Sequence, residues 1–195
     1  MYQLVVLNHF RGYPDLMDSA SDEIRYAKVL DLINTNNPDD TIFLSNHLLH
    51  SKLQDRRLES MKEIALTSGF RWVQFQDESI DDILLKVSQF NILNDGVMLT
   101  KKVHLTPENT RVIIGGTNTA GCLLFNSNVS ATHWVDEGYK VDMCLSMCAD
   151  YQSSGLNQAD KNQMAFASLY NYIKKYNLID KIDVYYSAPP KMRVR

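Results

Sequence analysis

The chain has 195 residues, of which 45% are hydrophobic and 22% charged, and a formal net charge of −3. These are the proportions of an ordinary globular domain. They exclude a disordered chain and offer no basic surface to attract nucleic acid or an anionic membrane. No run nears the roughly 18–20 apolar residues of a membrane span. The opening Met1–Leu7 also lacks the basic flank of a secretory leader, so a cytoplasmic protein with neither nucleic-acid nor membrane partners is expected.

Taken in chain order, short apolar runs alternate with helical patterns. Leu4–Leu7, Thr41–Ser45, Trp72–Phe75, Arg111–Ile114, Tyr139–Met147 and Ile182–Tyr186 are rich in Val, Ile and Tyr. Most show no polar alternation, as strands covered on both faces do. Between them, Ser21-Asp22-Glu23 caps a helix through Ile33, and Leu53–Ala65 forms a second. Leu123–Glu137 reads as a third, stopped by Gly138, and Asn157–Tyr176 as a fourth. Residues 77–105 admit two readings. Ile80, Ile83, Val87 and Phe90 fit a helix after Ser79, whereas Asp82–Lys86 fits a short strand; Asn94-Asp95-Gly96 is a turn into a further extended piece. Repeated strand–helix alternation predicts one α/β domain over residues 1–195, a three-layer α/β/α sandwich on a mostly parallel sheet of roughly six strands.

Three cysteines in a chain of this length do not suggest a disulfide framework. Cys144 and Cys148 lie in an apolar strand-like run, where cysteine behaves as a small hydrophobe. Cys122 differs. It follows a strand and a loop of Gly115, Gly116, Thr117, Asn118, Thr119, Ala120 and Gly121, at the start of the third predicted helix. Loops at the carboxyl ends of parallel strands form the ligand crevice. Backbone N–H groups at a helix start favour a thiolate and hold a developing oxyanion, and the glycines would let the backbone approach a ligand. The plainer alternative is a buried cysteine in a Gly-rich turn.

The segment Gly116-Thr117-Asn118-Thr119-Ala120-Gly121-Cys122-Leu123 resembles the G-x-x-T-x-x-C-V segment of isochorismatase-like cysteine hydrolases, which include nicotinamidases and carbamoylsarcosine amidases. Downstream, Gly138-Tyr139-Lys140-Val141 and Ser146-Met147-Cys148-Ala149 resemble that family's A-G-Y-x-V-x-V-V-x-D-A-C-A stretch, with Ser146 at its aspartate. The good match covers roughly residues 111–176, and the first 50 residues match in layout. The resemblance implies hydrolysis of a C–N amide bond in a small molecule through a thioester on Cys122. The loop carrying Thr117, Asn118 and Gly121 would hold substrate and oxyanion.

Two further positions depart from the pattern. Asn8 stands where the family has its proton-relaying aspartate, and a neutral amide accepts no proton at neutral pH. His9 or Asp15 would have to substitute, or the fold has become a ligand- or protein-binding module. The family's lysine is matched loosely by Lys86, a surface charge if residues 79–90 are helical. Where nicotinamidases carry a D-x-H metal motif, this chain has Asn46-His47-Leu48, with His50 three residues beyond His47, so neither a metal nor another cofactor is expected. The resemblance also implies a homo-oligomer, for which Trp72, Trp134 and Tyr185–Tyr186 are candidate interface aromatics.

Overall fold

A computed structural model describes residues 1–10, 19–46, 56–94, 97–117, 121–149 and 158–185. In chain order these form β1 (Tyr2–Asn8), α1 (Ser19–Thr35), β2 (Thr41–Asn46), α2 (Arg56–Thr67), β3 (Arg71–Phe75), α3 (Ile80–Ser88), β4 (Gln89–Asn94), β5 (Val97–Lys102) and β6 (Thr110–Thr117). A π-helical turn (Cys122–Asn126) follows, then α4 (Ala131–Asp136), β7 (Lys140–Ala149), α5 (Gln158–Tyr176) and β8 (Ile182–Tyr185). Six strands make one sheet in the order β3-β2-β1-β6-β7-β8, and every pairing within it is parallel. The chain winds outward from β1 on one side and from β6 on the other, so the strand order reverses between β1 and β6.

The apolar runs become strands because both sheet faces are covered. Successive side chains point to opposite faces, and β1 divides accordingly. Leu4 and Val6 enter a cluster with α3, α4 and α5 residues such as Ile83, Trp134 and Leu169. Val5 and Leu7 enter a second cluster with Tyr26 and Val29 of α1 and Met61 of α2. All four strand residues are fully buried. Each such side chain stabilises the fold by about 1.5–3 kcal/mol relative to exposure.

Helix boundaries show where local signals were incomplete. Helix α1 begins at Ser19, two residues before the expected Ser21 cap. Residues 80–88 are helical: Ser79 Oγ accepts from the Asp82 amide at 3.2 Å, while Ile80, Ile83 and Val87 are buried at helical spacing. The antiparallel pair β4–β5 follows, with Asn94 opposite Val97; Asp95 and Gly96 of the expected turn lie outside the described residues. Arg71 ties this region to the sheet edge, donating from Nη1 to the Val87 carbonyl at 3.0 Å with its guanidinium 4.1 Å from the Phe90 ring centre.

The expected helix over Leu123–Glu137 is two pieces. The chain is extended at Ser127 (φ −110°, ψ 146°), and the α-helix restarts only after Ser130. Ser127 and Ser130 explain the break: serine side chains compete with the helical ladder, and Ser127 Oγ accepts from the Val129 amide at 3.2 Å. Gly138 does stop α4, with φ +89°. Cys144 and Cys148 are 1% and 2% exposed, as expected of small hydrophobes, and neither is in a disulfide. Trp134 is wholly buried, edge-on to Tyr139 at 5.3 Å, and Trp72 stacks on Phe43 at 5.2 Å while donating to Ser45 Oγ. The buried Trp134 therefore offers no interface, and Tyr186 lies outside the described residues. Among the described residues, no helix is long and apolar enough to cross a membrane.

At the amino-terminal edge of the sheet, Arg111 Nη2 donates to Asp142 Oδ1 and, at 2.7 Å, to Asp183 Oδ2. Asp142 is 1% exposed, and burial raises its carboxyl from 3.8 to about 6 against the opposing pull of Arg111. A folded-state value above the unfolded one means that the native chain holds this proton more tightly. The associated stability is full below about pH 4 and is lost as pH rises through about 6. In urea titrations across that range, Asp142→Asn should remove a pH-dependent component on the order of 2–3 kcal/mol. Parallel wild-type and variant profiles would count against this assignment.

Candidate functional site

The site is built where β1 and β6 end side by side. Their parallel register sets Leu7 opposite Gly115 and Asn8 opposite Gly116. A Cβ on Gly116 would lie 1.7 Å from the Asn8 carbonyl oxygen, and its φ of +143° disfavours any L side chain. At Gly115 a Cβ would meet the Met147 side chain at 2.5 Å. At both positions packing of the protein against itself leaves no room for a side chain. On the far side of β6 the pairing with β7 slips between Ile114 and Gly116, where Cys144–Met147 bulge out of register.

Asn8 is fully buried. Its Oδ1 accepts from Asn46 Nδ2 at 3.3 Å, and its Nδ2 has no partner among the described residues. The position therefore holds a neutral amide pair across the ends of β1 and β2. The next residue, His9, has φ +50°, a left-handed turn that redirects the chain immediately after the strand. Thr117 Oγ1 donates to the His9 carbonyl and fastens that turn to the end of β6.

His9 and Asn46 line a cavity of about 160 Å³ together with Gln76 and Asp77 after β3 and Ser127, Asn128 and Val129 after the π-helical turn. Asn128 Nδ2 donates to the Asp77 carbonyl at 3.4 Å, joining two of these walls. The lining residues are mostly polar, include Asp77 and His9, and lie at the carboxyl ends of three adjacent strands and after the π-helical turn. It is smaller than a drug-sized pocket and suits a small polar molecule.

Cys122 opens the π-helical turn and is half-buried. Leu123 and Leu124, 0% and 1% exposed, anchor the turn, while the Leu124 and Phe125 amides donate to the Gly121 carbonyl at 3.1 and 2.9 Å. The thiol is thus held on a fixed turn, five residues ahead of the cavity wall at Ser127; Cys122 itself does not line the cavity. Lys86 lies in the last turn of α3, ion-paired with Glu78 and with nearly half its side chain exposed. This is the surface placement that the helical reading of residues 79–90 implies. Asn118, Asp15, His47 and His50 lie outside the described residues. Among the described residues no group of three or more His, Cys, Asp or Glu side chains is gathered as metal ligands would be.

Sequence reasoning singled out Asn8, His9, Thr117 and Cys122 but passed over Asp77 and Asn128, and it weighed Asn46 only as a metal-ligand position. A signal for Asn46 existed: two neighbouring apolar strands both end in asparagine, and parallel register brings such ends together.

The Asn8–Gly116 approach makes a direct prediction. Gly116→Ala should destabilise the chain by more than about 3 kcal/mol in chemical denaturation, because both the backbone conformation and the Asn8 carbonyl oppose a Cβ. A loss under about 1 kcal/mol would show that the two strands can separate there.

No protein-family model, curated protein or solved structure matches this chain.

Proposed function

We propose that the chain is a small-molecule hydrolase of the isochorismatase-like type that cleaves a C–N amide bond through a thioester on Cys122. The observation that carries this reading is the register of β1 and β6, which sets the Asn8–His9 corner against Gly116 and Thr117 on the segment leading to Cys122. In this mechanism the Cys122 thiolate attacks the amide carbonyl carbon, the C–N bond breaks as the amine departs with a proton, and water hydrolyses the thioester to the acid. Asn8 accepts no proton in this scheme. Its side chain fixes the corner through Asn46, and His9 is the base that takes the thiol proton and returns it to the leaving amine. Lys86, committed to Glu78, stands outside the chemistry. The support is the segment around Cys122 and the order of the sheet; the polar cavity at its carboxyl edge is lined by His9 but not by Cys122.

The neutral Asn8–Asn46 pair, where the family has a carboxylate, favours a second reading, in which the same cavity binds a small polar ligand without turnover. The two readings part on the thiol. In the hydrolase, iodoacetamide near neutral pH modifies Cys122 well before Cys144 and Cys148, and Cys122→Ser abolishes amide cleavage. His9→Asn, which tolerates the left-handed turn, lowers kcat by about 10²-fold or more. A Cys122 that labels no faster than a simple thiol, with no cleavage across a panel of primary amides and none restored by Asn8→Asp, establishes the binding module instead.

A further inference from the structure

The residues around the cavity are unbalanced in charge and in hydrogen-bonding capacity. Of those that line it, Asp77 alone carries a fixed charge, and none is a lysine or arginine. Asp77, Glu78, Asp81 and Asp82 fall within six residues on the stretch that leads from β3 into α3. The first lysine beyond them, Lys86, is ion-paired with Glu78, and among the described residues no cation pairs with Asp77. Two lining asparagines are already drawn on by the chain. Asn46 Nδ2 donates to Asn8 Oδ1 at 3.3 Å, and Asn128 Nδ2 donates to the Asp77 carbonyl at 3.4 Å. Each spends an amide hydrogen internally, while its own Oδ1 receives none from a described residue. The second bond also fixes Asp77 against the wall formed by Ser127, Asn128 and Val129.

From this distribution we propose that the cavity takes a small cationic molecule, an amide that carries an ammonium group, and that Asp77 selects it. The proposal rests on the cavity being the ligand site, which both readings above share, and it adds the charge of the ligand. An ammonium brings three N–H donors and no acceptor. That is the complement of a surround in which two asparagine oxygens and one carboxylate lack donors. A charge on a lining residue acts on the contents of so small a cavity from within the Debye length of about 8 Å. A ligand bearing a carboxylate would instead meet Asp77, and the acidic stretch behind it, with no cation to offset them. In the hydrolase, the acid product gains a negative charge that the substrate lacked. The side chain that draws the substrate in therefore also favours departure of the product. About 160 Å³ admits only a short molecule of this kind.

Three amides of similar length test this: β-alaninamide, cationic at neutral pH, neutral butyramide and anionic succinamate. NMR titration at low salt on the full chain carrying Cys122→Ser reads their affinities without turnover. β-Alaninamide should bind about tenfold tighter than butyramide, and succinamate more weakly than either. Asp77→Asn should remove the advantage of the cation and leave butyramide unchanged, and Asp77→Lys should turn the preference toward succinamate. Asp77 is exposed, and circular dichroism would confirm that both variants fold. Equal affinity for the cationic and neutral amides, loss of both alike in Asp77→Asn, or no binding of β-alaninamide overturns the proposal. The hydrolase reading fails separately. A cationic preference in a wild-type chain that cleaves no amide refutes the hydrolase alone, whereas cleavage without charge preference refutes the role of Asp77 alone.

Discussion

The backbone of β6 passes the end of β1 at Gly116 so closely that no side chain fits between them. Most of the candidate site depends on this approach. It holds Asn8 against Gly116, brings Thr117 within reach of the His9 carbonyl, and stabilises the left-handed turn that sends His9 to the cavity. Because the strand order reverses between β1 and β6, the same approach defines the crevice in which open α/β sheets bind their ligands. The segment bearing Cys122 follows directly from it.

The rest of the molecule holds that edge in place. Two apolar clusters, one on each face, share the side chains of β1 alternately, so β1 cannot slip by one residue without turning Val5 and Leu7 into the wrong set. Buried Leu123 and Leu124 anchor the turn whose first residue is Cys122. At the far edge, Arg111 gathers Asp142 and Asp183 from β7 and β8 and ties the outer strands to β6. Polar chemistry thus sits at both ends of the sheet: a charged clamp at the amino end and a largely uncharged, amide-rich cavity at the carboxyl end.

The fold was legible because all six strands of the main sheet are short apolar runs bounded by turn residues. Helices were less so. Ser79 with Ile80, Ile83 and Val87 spans too few residues to exclude a strand, and only packing against the core decides for α3. Leu123–Glu137 satisfied a helical pattern although two serines interrupt it, because apolar spacing does not register a change of backbone path. Trp134 illustrates a related difficulty: composition marks an aromatic as suited to an interface, but only the fold shows that it lies in the core. For the site, Cys122 and Asn8 stood out through residue type and local order. Asp77 and Asn128 did not, since their meeting depends on loops that end different strands, far apart in sequence. The Gly-rich sequence points to close backbone approach, and at Gly115 and Gly116 the near neighbours within the chain are Met147 and Asn8.

The proposed amide hydrolysis passes through an acyl-enzyme on Cys122, and that intermediate separates catalysis from binding. Intact-protein mass spectrometry of samples acid-quenched during incubation with small primary amides tests this most directly. The account predicts a transient increase equal to the acyl group, mapped by peptide analysis to Cys122 and absent from Cys122→Ser. Amides that are retained by the folded chain yet never leave a covalent adduct on Cys122 would contradict it.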